Sequence, residues 1–266
     1  MLGNLGMLAF DSVNDALYIT TSDALGTYSR VRVISNVNSG VNMVVSTLSG
    51  DFPGWLNGLD IDRRTSRLYV CSPFSVMFFD LSSYWANSSR ALNVRLPSTV
   101  VAGCGKRSLR NFNGEPSTTP SYGTSACFEQ LLSIKITGNL LFTSDNFASN
   151  IRKIHLDSDD SFRVEVLTGS AGGWSSEILE GSSNVAKIPQ ISQITLVSPL
   201  DPTSDLIVCM DASAAVMRVD DNVCSVRGSF AFGVSPEAPQ PIVAPALTSA
   251  SLSYSPCHHC RALSHT

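Results

Sequence analysis

One arrangement of short apolar strands occurs four times along the chain, and it constrains the fold more than any other feature. Each copy opens with a short apolar strand, passes through a polar turn into a nearly all-apolar strand, and reaches a third strand after a second polar turn. A further apolar stretch follows each copy and gives four strands per unit. The copies span residues 6–35, 58–81, 131–156 and 191–220. This repetition predicts four small sheets, one after another along the chain.

The second strand of each copy indicates how the sheets are arranged. It is apolar at successive positions, which lie on opposite faces of a strand, in residues 17–19, 68–70, 140–142 and 206–208. Such a strand is covered on both faces, whereas the alternating third strand lies nearer to solvent. Four-stranded sheets stacked around an axis form a β-propeller. An immunoglobulin-type sandwich is the main alternative, but it does not repeat one four-strand unit. We therefore expect an all-β propeller, with about four recognisable antiparallel blades in residues 1–232.

The third copy and the segment before it carry a family resemblance. "VVAGCG" leads into a polar loop, an apolar strand follows, and "LLFTSDNFASNIRKI" ends the segment. This pattern resembles the NHL repeat, and the matching positions are residues 101–103, 128, 140–143, 145 and 151–154. The resemblance extends over residues 4–226 and is weakest in the fourth copy. It implies a propeller of about six blades. With four copies, either the chain is partial, or a further blade lies in the divergent regions, or another segment completes the ring. The first copy starts almost at Met1, which suggests a fragment or a gene model cut short at its 5′ end.

The charge balance disfavours nucleic acid as a partner. The formal net charge is −4 and the pI is about 5.5, whereas nucleic-acid binding usually needs a clustered basic field. The basic cluster of Lys106, Arg107 and Arg110 lies in a predicted loop and is interpreted as a solvated loop face. No apolar run approaches the roughly 18 residues of a membrane span, and no signal peptide is visible. An RNA-binding NHL propeller is therefore kept as a disfavoured alternative.

The cysteines favour an oxidising compartment. Cys104 and Cys127 bracket a long polar segment, and closing such a loop would stabilise the fold by roughly 3 kcal/mol. The sequence leaves the pairing open, but a disulfide there would require an oxidising environment. Asn87 begins an N-glycosylation sequon. Together these features favour a secreted, lumenal or cell-surface location. Cys71 and Cys209 end equivalent apolar strands and are expected to be buried.

Four residues that follow the apolar second strands are the candidates for a tunnel metal site. Asp23, Asp145, Asn146 and Asp211 supply the oxygen ligands that hard cations prefer. The second copy has Cys71 at the equivalent place, which breaks the ring of ligands. We therefore expect these side chains to cap turns by accepting hydrogen bonds from the backbone. No metal and no cofactor are predicted.

Two other groups of potential ligands or catalysts are interpreted without a function. His155 is expected to be exposed, and no Ser-His-Asp set can be built around it. Cys257 and Cys260 enclose two histidines, His258 and His259, but a zinc site normally needs a second pair of ligands. These cysteines lie in residues 233–266, which are rich in proline, alanine and serine and predict a disordered tail.

The sequence thus favours a non-catalytic NHL-like propeller that binds a protein or glycan partner through its rim loops. The segment between Cys104 and Cys127 is the expected specificity element, because long loops in compact domains are often functional. The predicted partner-binding residues in or beside the basic cluster are Lys106, Arg107, Arg110, Asn113 and Tyr122. A metal-dependent hydrolase or lyase, of the lactonase or amidating-lyase type, is the main alternative.

Overall fold

The structure, a computed structural model, confirms an all-β fold, because the described part of the chain consists mainly of antiparallel β-sheet. It describes residues 4–86, 95–105, 121–156, 161–169, 188, 190–198, 206–210, 215–219, 224–229 and 262–263. In this part of the chain, four sheets follow one another, and each contains one copy of the repeat. No helix among the described residues is long and apolar enough to cross a membrane.

The first two sheets contain strands β1 to β9. In the first sheet β1 to β4 pair in chain order, and the short β5 adds to β3. Its strands are β1 (Asn4–Asp11), β2 (Ala16–Ser22), β3 (Tyr28–Ser35), β4 (Val44–Thr47) and β5 (Phe52–Pro53). The strands of the second sheet also pair in chain order, and they are β6 (Gly58–Asp62), β7 (Arg67–Ser72), β8 (Ser75–Asp80) and β9 (Ser98–Ala102). Helix α1 (Ser82–Ala86) lies in the connection between β8 and β9.

The last two sheets repeat this order with one added strand each. The third sheet has the order β10-β14-β13-β12-β11, so that β10 takes the outer edge. Its strands are β10 (Ser121–Tyr122), β11 (Leu131–Thr137), β12 (Leu140–Asp145), β13 (Asn150–His155) and β14 (Arg163–Thr168). A short 3-10 helix, Gly123–Ser125, follows β10. The fourth sheet contains β15 (Ile191–Leu196), β16 (Leu206–Met210), β17 (Ala215–Val219), β18 (Cys224–Ser229) and β19 (Ala262–Leu263), which is parallel to β18.

The first strands of the four sheets lie side by side, which gives the molecule a propeller-like arrangement. β1 contacts β6, β6 contacts β11, and β11 contacts β15. The backbone N–H of Ile136 in β11 donates to Asp60 Oδ2 in β6 at 2.9 Å. In β15, Gln193 Nε2 lies 3.8 Å from Met7 Sδ in β1. The first strands therefore follow one another side by side in the order β1, β6, β11 and β15, and each begins its own sheet.

Three apolar cores form between successive sheets. Tyr18 and Tyr69 occupy the middle of β2 and β7, and both are fully buried against the following sheet. Phe142 takes the same place in β12 and packs against the fourth sheet. Complete burial of one such side chain contributes about 1.5–3 kcal/mol. The hydroxyl oxygen of Tyr18 accepts a hydrogen bond from Nε1 of Trp85 in α1 at 3.0 Å, and burial raises the pKa of Tyr18.

Several local details differ from the expectations drawn from the sequence. Helix α1 was not expected, because five residues are too few for a helical pattern to be recognised. His155 is not fully exposed, since its Nε2 lies 2.9 Å from Glu165 Oε1 on the neighbouring strand. Cys71 is buried as predicted, and burial raises its pKa to about 12. Cys209 is half-buried. Of residues 233–266, the structure describes β19.

Candidate functional site

The connections between successive sheets lie at one end of the molecule, which we call the link end. This is the end at which β1, β6, β11 and β15 begin, because the four antiparallel strands of each sheet return the chain to its starting side. The described connections there are residues 48–57 and the two ends of the segment between Gly103 and Gln130. The opposite end, at which the first strands finish, is called the far end.

The link end of the first sheet exposes an aromatic patch on a fixed backbone. We define the aromatic patch as Leu25, Tyr28 and Trp55, whose side chains are 88%, 51% and 51% exposed. Asp23 accepts hydrogen bonds from the N–H of Thr27 at 2.6 Å and of Tyr28 at 3.3 Å, which fixes the β2–β3 turn. Asp23 thus caps a turn, as the sequence predicted.

Trp55 packs closely against this turn because Gly26 has no side chain. Gly26 has a φ of +68°, and a Cβ at this position would overlap the indole of Trp55. The backbone N–H of Gly54 also donates to Thr27 O at 2.8 Å. These contacts tie residues 48–57 to the β2–β3 turn, so the two aromatic rings are presented from a rigid base.

A disulfide anchors the connection between the second and third sheets, which we call the second link. Cys104 and Cys127 are bonded, with their Cα atoms 5.0 Å apart. Phe128 beside the bridge is fully buried, and the backbone N–H of Leu131 donates to Pro73 O at 2.8 Å. The disulfide therefore holds the two ends of the segment together at the link end.

The remaining predicted site residues are mostly outside the described residues. Tyr122 is 54% exposed in β10, at the outer edge of the third sheet. The residues outside the described part are Lys106, Arg107, Arg110 and Asn113 of the predicted binding loop, the sequon residue Asn87, the metal candidate Asp211, and Cys257, His258, His259 and Cys260. Their proposed roles remain predictions.

Asp145, another candidate for the tunnel metal site, is buried and accepts hydrogen bonds from the backbone. Its Oδ1 accepts hydrogen bonds from the backbone N–H of Gln130 at 2.8 Å and of Glu129 at 3.0 Å. Burial raises the pKa of Asp145, and the nearby positive charge of Arg152 opposes this shift. Asp145 therefore fastens the end of β12 to the segment before β11. Among the described residues, no three histidine, cysteine or acidic side chains come close enough together to hold a metal ion.

A cavity of about 360 Å³ with a mixed polar and apolar lining opens at the far end, where β6, β11 and β15 finish. Asp60 and Lys135 face it from neighbouring strands, with Lys135 Nζ 3.9 Å from Asp60 Oδ2. Burial raises the pKa of Asp60, and Lys135 opposes the shift. Thr137 and Thr195 add hydroxyl groups to the lining. The cavity offers hydrogen-bonding groups and both signs of charge, which suits a small polar molecule.

Sequence reasoning missed this cavity. The available signal was a charged residue inside an otherwise apolar first strand, at Asp60 in "GLDID" and at Lys135 in "SIKIT". The two residues meet because β6 and β11 are neighbours, a contact between distant parts of the sequence that strand periodicity does not reveal.

Comparison with known proteins supports the fold. No protein-family model and no curated protein matches the chain. Two solved structures from Bacteroides thetaiotaomicron align with 84% of this chain, each at 13% identity and a TM-score of 0.56. One is named an auxiliary nutrient binding protein, and the name of the other is an unproven phosphatase assignment. The chain covers 46% and 48% of their lengths and thus spans about half of each. At such low identity the likeness supports a common fold and nothing finer.

Proposed function

We propose that this chain is a non-catalytic propeller scaffold that binds a protein or glycan partner through loops at its link end. The observation that carries the proposal is the aromatic patch, in which Tyr28 and Trp55 are half-exposed and yet fixed by the turn beneath them. Tyrosine and tryptophan are enriched at binding hot spots because they offer large contact areas and a polar group.

Rigidity strengthens this argument. A surface that is already ordered loses less conformational entropy when it binds a partner. Trp55 packs on Gly26, and Asp23 fixes the turn that carries Tyr28. Such a patch is ready for contact without rearrangement.

The second link extends the same surface. Asn57 Nδ2 donates to Leu131 O at 2.7 Å, which connects the link that carries Trp55 to the start of β11. The disulfide-closed segment ends just before that strand. We assign this segment, with Lys106, Arg107, Arg110 and Asn113, the role of selecting the partner. The bridge and the binding role together favour a secreted, lumenal or cell-surface protein.

The family assignment rests on a repeated glycine. Gly103 and Gly169 each follow the outer strand of a sheet, with φ values of +118° and +103°. A Cβ on Gly103 would overlap the backbone near Ser75, and a Cβ on Gly169 would overlap the backbone near Asn150, the equivalent place in the third sheet. This equivalence supports a repeated structural unit, which is in keeping with the NHL-like repeat that we propose. The name of one similar structure, a nutrient binding protein, supports a binding role by fold analogy.

The test is a binding screen of the purified chain against a glycan array and a library of displayed extracellular proteins. Two variants are compared with wild type: Trp55→Ala, and a chain in which a Gly-Ser linker replaces residues 105–120 while both bridge cysteines remain. The matched control is Val41→Ala, which removes an exposed apolar side chain at the far end.

We expect the control to bind every partner that wild type binds, and we expect both variants to lose binding to those partners. Partners that survive both changes would overturn the proposed site. Turnover of esters or lactones, with or without added calcium or zinc, would overturn the non-catalytic assignment in favour of a propeller hydrolase. Binding to generic RNA that weakens with salt would favour the RNA-binding alternative.

A further inference from the structure

Equivalent apolar residues form the same row in every sheet. In each sheet the row contains one residue from each of the first three strands, paired in register. The rows are Phe10, Leu17 and Ile34 in the first sheet; Ile61, Leu68 and Phe79 in the second; Ile136, Leu141 and Ile154 in the third; and Leu196, Leu206 and Val219 in the fourth.

In the second, third and fourth sheets, this row faces the preceding sheet and is buried. All nine residues are at most 9% exposed. The second row shares a core with Tyr18 of the first sheet, the third with Tyr69 of the second, and the fourth with Phe142 of the third. Each of these three sheets therefore packs against the preceding sheet through this row.

The first sheet has the same face without a described cover. Phe10 is 38% exposed, and Leu17 and Ile34 are half-buried. Two neighbours on this face are also exposed, Leu8 at 55% and Val45 at 42%. We call these five residues the open face of the first sheet. A contiguous exposed apolar surface of this kind marks an interaction site.

The fourth sheet has the complementary open face. In the first three sheets, the large residue in the middle of the second strand is buried by the next sheet, as Tyr18, Tyr69 and Phe142 show. Ile207 is the equivalent residue of β16, and it is half-buried. Thr195, its register partner in β15, is exposed. The open face of the fourth sheet is defined by Thr195, Ile207 and Cys209.

We propose that the open face of the first sheet binds the open face of the fourth sheet of a second copy of this chain. The contact continues an interface that the molecule already makes three times, with Ile207 in the place that Tyr18, Tyr69 and Phe142 take in the existing cores. Within one copy no described residue covers either face, although Met7 and Gln193 touch between β1 and β15. Because one chain carries both complementary faces, the association is head to tail.

The test is the mass of the full chain measured by light scattering and by sedimentation over a range of concentrations. We expect wild type to associate into dimers or larger species. Phe10→Arg and Ile207→Arg each place a charge in the contact, and each should weaken association at least about 30-fold, the loss of one binding hot spot. Val100→Arg, a 44% exposed position on the outer strand of the second sheet, is the control and should associate like wild type.

Mixing the two variants identifies the mode of contact. Phe10→Arg keeps an intact fourth sheet and Ile207→Arg keeps an intact first sheet, so an equimolar mixture should form a dimer and nothing larger. Circular dichroism melts establish that each variant is folded. A monomeric wild type would overturn the proposal, as would association that Phe10→Arg abolishes and Ile207→Arg leaves intact, because that result means two first sheets face each other.

Discussion

Arg152 extends from β13 so that its Nη2 lies 3.7 Å from Oδ2 of Asp145, a carboxylate with no solvent exposure. The arginine is itself 12% exposed. The pair connects β12 and β13 of the third sheet. Asp145 also accepts hydrogen bonds from the backbone N–H groups of Glu129 and Gln130, which ties the pair to the segment before β11. It sits near the disulfide-anchored link, and its integrity therefore affects both stability and the link end.

Asp145→Asn should destabilise the protein by up to about 3–5 kcal/mol, because it removes the carboxylate that lies beside the buried charge of Arg152 and leaves Glu129 as its acidic neighbour. Asparagine can still accept the two backbone hydrogen bonds, so the loss reports the charge. Urea unfolding provides the free energy of unfolding. The double variant Asp145→Asn with Arg152→Met should lose less than the sum of the two single changes. Simple additivity would show that the pair is not coupled.

Gly103→Ala should destabilise the protein by more than about 2 kcal/mol. The φ of Gly103 is +118°, a value that only glycine adopts readily, and the Cβ of an alanine there would overlap Phe74 O. Gly40→Ala is the matched control. Gly40 also has a positive φ, of +63°, but no atom lies within 4 Å of its added Cβ. Its cost should stay near 1 kcal/mol. Equal losses for the two variants in urea unfolding would mean that the close approach to Phe74 carries no energy.

Asp60 predicts a pH dependence. Burial raises its pKa in the folded protein, so the folded state holds this proton at pH values at which the unfolded chain has released it. The contribution of Asp60 to stability is therefore fully present below its unfolded pKa of about 3.9 and is lost as pH rises through the folded pKa. Asp60→Asn should gain stability relative to wild type over that interval. Unfolding curves at pH 4 to 7 measure the difference, and a constant difference would contradict the assignment.

Reduction of the Cys104–Cys127 bridge should lower the free energy of unfolding by about 3 kcal/mol, because the unfolded chain regains the entropy of an open loop. The measurement is a urea titration with and without dithiothreitol. The control is the double variant Cys104→Ser with Cys127→Ser, whose stability should not respond to dithiothreitol. A response of the same size in that variant would place the sensitive thiols elsewhere.

The regular strands could be predicted because their signal is local. An apolar strand between polar turns is readable within about ten residues, and β2, β7, β12 and β16 lie where this pattern predicts them. The two-residue strands β5 and β10 could not be predicted, since they exist through pairing with residues far along the chain, such as Tyr28 with Pro53.

The candidate sites were predictable to different degrees for the same reason. The Cys104–Cys127 pair could be inferred from two cysteines around one polar segment. The aromatic patch needs the contact between Gly26 and Trp55, and the cavity needs Asp60 beside Lys135. Both depend on which strands become neighbours, and the order of the strands along the chain does not by itself specify those contacts.

The hydrogen bond from Trp85 Nε1 to Tyr18 OH makes the fluorescence of Trp85 sensitive to the packing between the first two sheets. The indole belongs to helix α1, which connects β8 and β9 of the second sheet, and the phenol belongs to the first sheet. Separation of the two sheets would therefore change the polarity around the indole. Trp55, half-exposed at the link end, would instead respond to events at that surface. Once the third tryptophan of the chain, Trp174, is replaced by phenylalanine, ultraviolet emission can distinguish opening between the first two sheets from contact at the link end, without an added label.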